Sequence, residues 1–190
     1  IAALAVSYAL DNNIVLTLPE LKDIVVSSVT NINPYLDGFK TNVSGGTLNL
    51  KSYLNKMGTG LIDAYQVLMA VRGTKCIPIP VGDEVIINIS SYIGDGTNDK
   101  IKMLENEISE ETIEALGIEN IKWMGGKLML TCTKPGTALV TLKYVAGGTN
   151  VGGGQITGGM ATEQEFAFVA REGVTYDEGT LEPNNPGGWL

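Results

Sequence analysis

The stretch Lys127-Leu128-Met129-Leu130-Thr131-Cys132-Thr133-Lys134-Pro135-Gly136-Thr137-Ala138-Leu139-Val140-Thr141-Leu142-Lys143-Tyr144-Val145 decides the fold class of this half of the chain. Leu128, Leu130 and Cys132 recur at period two, so they share one face of a strand, with Cys132 placed in a core as a small hydrophobe. Lys134-Pro135-Gly136-Thr137 carries turn chemistry at a hairpin position, and a second apolar run follows over 138–145. The same grammar extends outward on both sides. Strands are expected over 76–81, 84–89, 100–104, 118–124, 127–133, 138–145 and 162–171. Val85, Ile87 and Ile89 alternate with Ile86, Asn88 and Ser90, and Ile121 and Trp123 are expected to share a face. Gly82-Asp83 and Gly125-Gly126 are further turn signals at hairpin positions. Ser109-Glu110-Glu111 supplies a cap and two first-turn acids for a short helix ending near Gly117. Seven short strands of this kind fit an immunoglobulin-like antiparallel β-sandwich, although the pattern leaves the topology open.

Before Arg72–Thr74 the periodicity is helical. Ile1, Ala2, Ala3, Leu4, Ala5, Val6, Ala9 and Leu10 are apolar on every face, which predicts a helix buried all round and ended by Asp11-Asn12-Asn13. Thr17 and Glu20 form a capping box around Pro19. Leu21, Ile24, Val25, Val29 and Ile32 then predict an amphipathic helix as far as Asn33-Pro34. Residues 37–56 read as an irregular insertion. Gly58-Thr59-Gly60 leads into a third helix with Leu61, Ile62, Val67, Leu68 and Val71 apolar. A helix apolar all round cannot be hidden by one amphipathic stripe, so this half reads as a helical layer that has lost its partner. The expected organisation is a helical segment over 1–73, a β domain over 74–172, and an irregular Gly, Pro and acid-rich tail over 173–190. Together they make an α+β chain.

Composition excludes several functions. There is no histidine among the 190 residues, so no Ser-His-Asp or Cys-His catalysis and no histidine metal site can be built within this chain. Thirteen basic residues against twenty-one acidic ones give −8, which argues against nucleic acid or anionic lipid as partner. Cys76 and Cys132 are too few for a disulfide scaffold or a four-cysteine zinc site, and whether they pair stays open. Ile1–Leu10 is too short to span a bilayer and lacks a charged flank, so it is not read as a signal peptide. A chain opening on Ile reads as processed or truncated.

No site candidate stands clear of its ordinary alternative. Gly147–Gly159 holds seven glycines but neither a G-x-x-x-x-G-K-[ST] nor a G-x-G-x-x-G arrangement, and a long hairpin connection is the better reading. Asp95-Gly96-Thr97-Asn98-Asp99 has a fragment of calcium-loop spacing without the twelfth-position Glu, and reads as a turn. Glu110/Glu111 and Asp177/Glu178 have nothing apolar around them to tune a catalytic carboxyl pair. Trp123, Tyr144 and Trp189 would suit a sugar-binding face, although Trp123 reads as core. Asn42-Val43-Ser44 and Asn88-Ile89-Ser90 match the N-glycosylation triplet, a pattern frequent by chance. Catalytic, cofactor-binding and metal residues are therefore all read as none, and no cofactor is implied.

The first 71 residues nevertheless resemble the end of the catalytic domain of subtilisin-like serine peptidases. Ile1-Ala2-Ala3-Leu4-Ala5-Val6-Ser7-Tyr8 is similar to the small-residue helix that follows the family's nucleophile, and Leu18–Val29 is similar to the amphipathic helix after it. Gly58, Gly60, Ile62, Asp63 and Ala64 match the family's G-x-G-x-[IV]-[DN]-A closing motif. The resemblance covers about two-fifths of the chain and points to the secreted or envelope-attached subtilases of Bacteroides-type bacteria. It implies a parent that cleaves peptide bonds through a serine acyl-enzyme, with this chain an inactive C-terminal portion, because the family's Ser, Asp and His motifs match nothing here. It implies a helical remnant of an α/β domain followed by an accessory sandwich that stabilises, guides substrate or aids maturation. The implied partners are the rest of the catalytic domain and protein substrates. The apolar Ile1–Leu10 helix is also expected to be covered by self-association or by folding back on the sandwich. The competing reading is a carbohydrate- or protein-binding surface module, or a structural spacer, with no peptidase role.

Overall fold

Thr17 caps its helix as the sequence predicts, and from there the chain can be followed in both directions. The structure, a computed structural model, describes residues 1–30, 32–93, 102–104, 106–150, 156–172 and 180–181. It is mixed α+β and divides into two compact units between Gly73 and Thr74.

In the first unit, α1 (Ala2–Asp11) and α2 (Leu18–Ser27) are followed by β1 (Val29–Thr30), β2 (Phe39–Thr41), β3 (Thr47–Asn49), β4 (Leu61–Ile62) and α3 (Ala64–Arg72). Ala5, Ala9, Val67 and Val71 form its small buried core, with Leu21, Ile24 and Ile62 packed against it. Four expectations are corrected. α1 is not buried all round: Ile1, Leu4, Val6 and Leu10 are exposed, because the small helical core covers only the Ala5/Ala9 face. α2 stops at Ser27 instead of reaching Asn33-Pro34; Val29 and Thr30 leave the helix to pair antiparallel with Ile62 and Leu61. β-branched residues suit that extended backbone better than a helix end. As their partners, Leu61 and Ile62 belong to a strand, and α3 begins only at Ala64. Residues 37–56 are not irregular. They hold the β2–β3 hairpin and a 3-10 turn over Leu50–Tyr53.

In the second unit, β5 (Lys75–Pro80), β6 (Glu84–Asn88), β7 (Lys102–Met103), α4 (Glu110–Leu116), β8 (Ile118–Met124), β9 (Lys127–Cys132) and β10 (Gly136–Ala146) come first. They are followed by β11 (Thr149–Asn150), β12 (Ile156–Thr157), β13 (Met160–Arg171) and β14 (Thr180–Leu181). All seven expected strands are present. They lie in two four-stranded sheets, ordered β5-β13-β10-β7 and β14-β6-β9-β8. The buried faces of both feed one core, including Ile77, Ile79, Leu128, Leu130, Phe166 and Phe168. The period-two reading is confirmed in β6, where Val85 and Ile87 are buried and Ile86 and Asn88 half-buried. α4 begins at a Ser109 cap, whose Oγ accepts from Thr112 N–H at 3.3 Å, and ends on Gly117 in the left-handed region.

The turn chemistry was right about reversals but wrong about partners. Gly125-Gly126 does join the β8–β9 hairpin. Gly82-Asp83 and Lys134–Thr137 instead carry the chain from one sheet to the other. Thr133 N–H donates to the Gly117 carbonyl at 3.0 Å and Lys134 N–H to that of Leu116 at 3.0 Å. Those bonds tie the exit of β9 to the end of α4, and β10 pairs with β13 over eleven residue pairs. The sheets are also not wholly antiparallel: β5 runs parallel to β13, and β14 parallel to β6. Pro78 and Pro80 sit in β5, at the edge of its sheet, where a missing N–H costs little.

Candidate functional site

The segment that carries the family resemblance is a structural joint. Gly60 has φ +147°, and a Cβ there would collide with the Thr30 carbonyl, so glycine is required for the β1–β4 pairing. Ile62 packs against the small helical core. Asp63 donates its N–H to the Ser28 carbonyl at 3.1 Å, while its Oδ1 accepts from Tyr65 N–H at 2.9 Å and Gln66 N–H at 3.2 Å. One carboxylate thus starts α3 and fills the site that the helix N-terminus would offer an anion. The next side chain, Gln66, is buried, and its Nε2 finds no hydrogen-bond partner among the described residues. These residues position the three helices and bring no nucleophile, acid or base together.

The other candidates are kept apart. Glu110 and Glu111 lie exposed in the first turn of α4. Trp123 is half-buried, its Nε1–H donating to the Asn106 carbonyl at 2.8 Å, and Tyr144 is buried in the core. Neither offers a stacking face for a sugar. The parity expected of Ile121 and Trp123 fails because β8 is irregular between Glu119 and Lys122, with Asn120 at φ +56°. Ile121 is turned outward while Trp123 lies opposite Leu128. Asn42 is exposed in the β2–β3 turn, where its Oδ1 accepts from Gly46 N–H at 2.8 Å and from the Ser44 hydroxyl at 2.8 Å. Asn88 ends β6, and the Ser90 hydroxyl of its triplet donates to the Gly126 carbonyl at 3.3 Å. Within Gly147–Gly159, β11 and β12 pair as a short ribbon between β10 and β13. Asp95–Asp99, Asp177/Glu178, Trp189 and residues 151–155 lie outside the described residues.

Cys76 and Cys132 sit on different sheets and form no disulfide. Burial pushes the Cys132 thiol up to about 11, so it is a core residue rather than a nucleophile. Among the described residues no group of three or more Cys, Asp or Glu side chains converges for a metal, and no helix is long and apolar enough to cross a membrane. What sequence reading missed is the surface of 33–57. Tyr35, Phe39 and Tyr53 are its exposed aromatics, and the Asn42–Gly46 turn residues between two short threonine-containing segments were the signal that could have revealed its hairpin.

Comparison with protein-family models, with curated proteins and with solved structures finds no match.

Proposed function

We propose that this chain is the C-terminal part of a secreted or envelope-attached subtilisin-like serine endopeptidase. On this reading residues 1–73 close the catalytic domain and the β-rich unit is an accessory, immunoglobulin-like domain. The observation that carries the reading is the Gly58–Ala64 motif. Gly60 has a conformational duty that only glycine fulfils, Ile62 packs against the small helical core and Asp63 caps α3, as a structural closing motif requires. The exposed apolar side of α1 supports it further. Leu4 and Leu10 are wet here, and burying a side chain of that size is worth about 1.5–3 kcal/mol. A catalytic domain in which that helix is central would supply the cover.

The chemistry of the parent is acyl transfer to a serine, with the histidine and the oxyanion donors coming from residues other than these. This chain's own contribution is to hold the helix that follows the nucleophile against α2 and α3. Its partners on this reading are the remainder of the peptidase domain and protein substrates.

The test is to read the coding sequence immediately upstream of the Ile1 codon and to treat the encoded full-length protein with a fluorophosphonate probe. A Gly-Thr-Ser-Met-Ala-type segment running into α1, with labelling at its serine, is expected. An unrelated domain or a start codon at that point overturns the peptidase reading in favour of a surface-binding module.

A further inference from the structure

We propose that residues 33–57 form a finger that docks on an anionic lipid surface, with Val43 at its tip entering the headgroup region. The finger is stapled along its whole length. At the base, Asn33 Nδ2 donates to Asn55 Oδ1 at 2.7 Å and Asn55 N–H to Asn33 Oδ1 at 3.0 Å. Next come the Asp37–Lys51 ion pair at 3.0 Å and the Leu50 N–H bond to the Gly38 carbonyl at 3.0 Å. The ladder then continues through Phe39/Asn49, Lys40/Leu48 and Thr41/Thr47 to the Asn42–Gly46 turn.

What this frame holds up is apolar. Val43 at the tip is fully exposed, Phe39 is 70% exposed, and Tyr35 and Tyr53 are exposed at the base. Water is a poor partner for such a set, and no polar staple would be needed to display it unless something receives it. The displayed side chains select the receiver. An exposed aliphatic side chain, a lysine able to reach phosphates and three exposed aromatic side chains make up the composition of an interfacial surface.

Charge points the same way. Residues 33–57 hold Lys40, Lys51 and Lys56 against Asp37 alone, which pairs with Lys51. Residues 1–73 carry five acidic and five basic residues, so the whole −8 of the chain comes from Thr74 onward, where sixteen acidic residues face eight basic ones. The chain-wide charge that argues against anionic lipid therefore conceals a local cationic, aromatic finger. This inference does not rest on the peptidase reading.

The full chain is to be sedimented with phosphatidylcholine vesicles with and without a minor share of phosphatidylglycerol. Pelleting with the anionic vesicles, weakened by salt, is expected. The pair Phe39→Ser and Val43→Ser is expected to lower the vesicle partition coefficient at least about ten-fold, and Lys40→Glu by roughly ten-fold. Leu4→Ser, on the exposed side of α1, is the control that leaves binding unchanged. Absence of pelleting, equal binding to neutral vesicles, or binding that follows Leu4→Ser instead of the finger overturns the proposal. So does a dimer in sedimentation velocity that the finger variants dissociate, which would make the surface a contact between copies.

Discussion

Thr17 and Glu20 bond each other reciprocally across the first turn of α2. Thr17 N–H and its hydroxyl donate to Glu20 Oε2 at 2.8 and 2.6 Å, while Glu20 N–H donates back to Thr17 Oγ1 at 3.4 Å. The side-chain bond from Thr17, followed by the backbone one, holds the Glu20 carboxyl below the usual carboxylate value. A carboxyl whose folded value is depressed contributes stability that is present above its unfolded value and is lost as pH falls through the folded one. The protection factors of the amides over residues 18–27, taken relative to their intrinsic exchange rates at each pH, are therefore expected to fall under acid, and Glu20→Gln to show the lower protection already at neutral pH. Equal acid sensitivity in wild type and Glu20→Gln would count against this.

Gly60 faces the Thr30 carbonyl with no room for a side chain. Gly60→Ala is expected to cost about 2–3 kcal/mol, since strain in φ adds to the collision. Gly45→Ala, at positive φ in open space, is expected to cost only about 1 kcal/mol. Urea unfolding of the two variants checks the order.

Gln66 buries an amide nitrogen that no described group accepts. An unpaired buried donor costs its desolvation, so Gln66→Met, of similar volume, is expected to be neutral or to stabilise the first unit by about 1 kcal/mol. A loss of stability in chemical denaturation would show that the amide has a partner in solution.

Cys132 lies in the core of the second unit, where burial raises its thiol from 9.0 to about 11. A raised folded value contributes stability that is complete below the unfolded value and declines as pH rises through the folded one, so this term fades between 9.0 and about 11. Alkylation by iodoacetamide at neutral pH is expected to spare Cys132 in the native protein and to reach it in urea. Mass spectrometry of the peptides decides it.

The two units differ in what they bury. The core of the second holds nineteen buried residues and that of the first four, and thirteen of the sixteen large hydrophobics exposed among the described residues belong to the first. Residues 74–190 expressed alone are expected to unfold cooperatively in urea, whereas residues 1–73 alone are expected to aggregate or remain unfolded. Cooperative unfolding of 1–73 by itself would contradict this.

Local chemistry was legible wherever it acts within a few residues. The Thr17/Glu20 box, the Ser109 cap and the Gly117 stop all depend on neighbours three or four residues away, and each was found where the sequence put it. The strands were legible because one buried face imposes period two. The candidate site was far less so. Whether Trp123 offers its ring or hides it depends on a bulge at Asn120, and bulges leave little trace in an apolar pattern.

By itself the sequence determined the element types of the β-rich unit, the absence of imidazole chemistry within the chain, and the boundary in character near Arg72–Thr74. Only the tertiary structure decided that Lys134–Thr137 leads to another sheet, that Val29 and Thr30 leave their helix for Leu61 and Ile62, and that Leu4 and Leu10 stand in water. The reason is physical. Turn residues and propensities restrict φ and ψ over a few residues, whereas the choice of strand partner and the cover of an apolar face are free energies of contact between segments far apart in the chain.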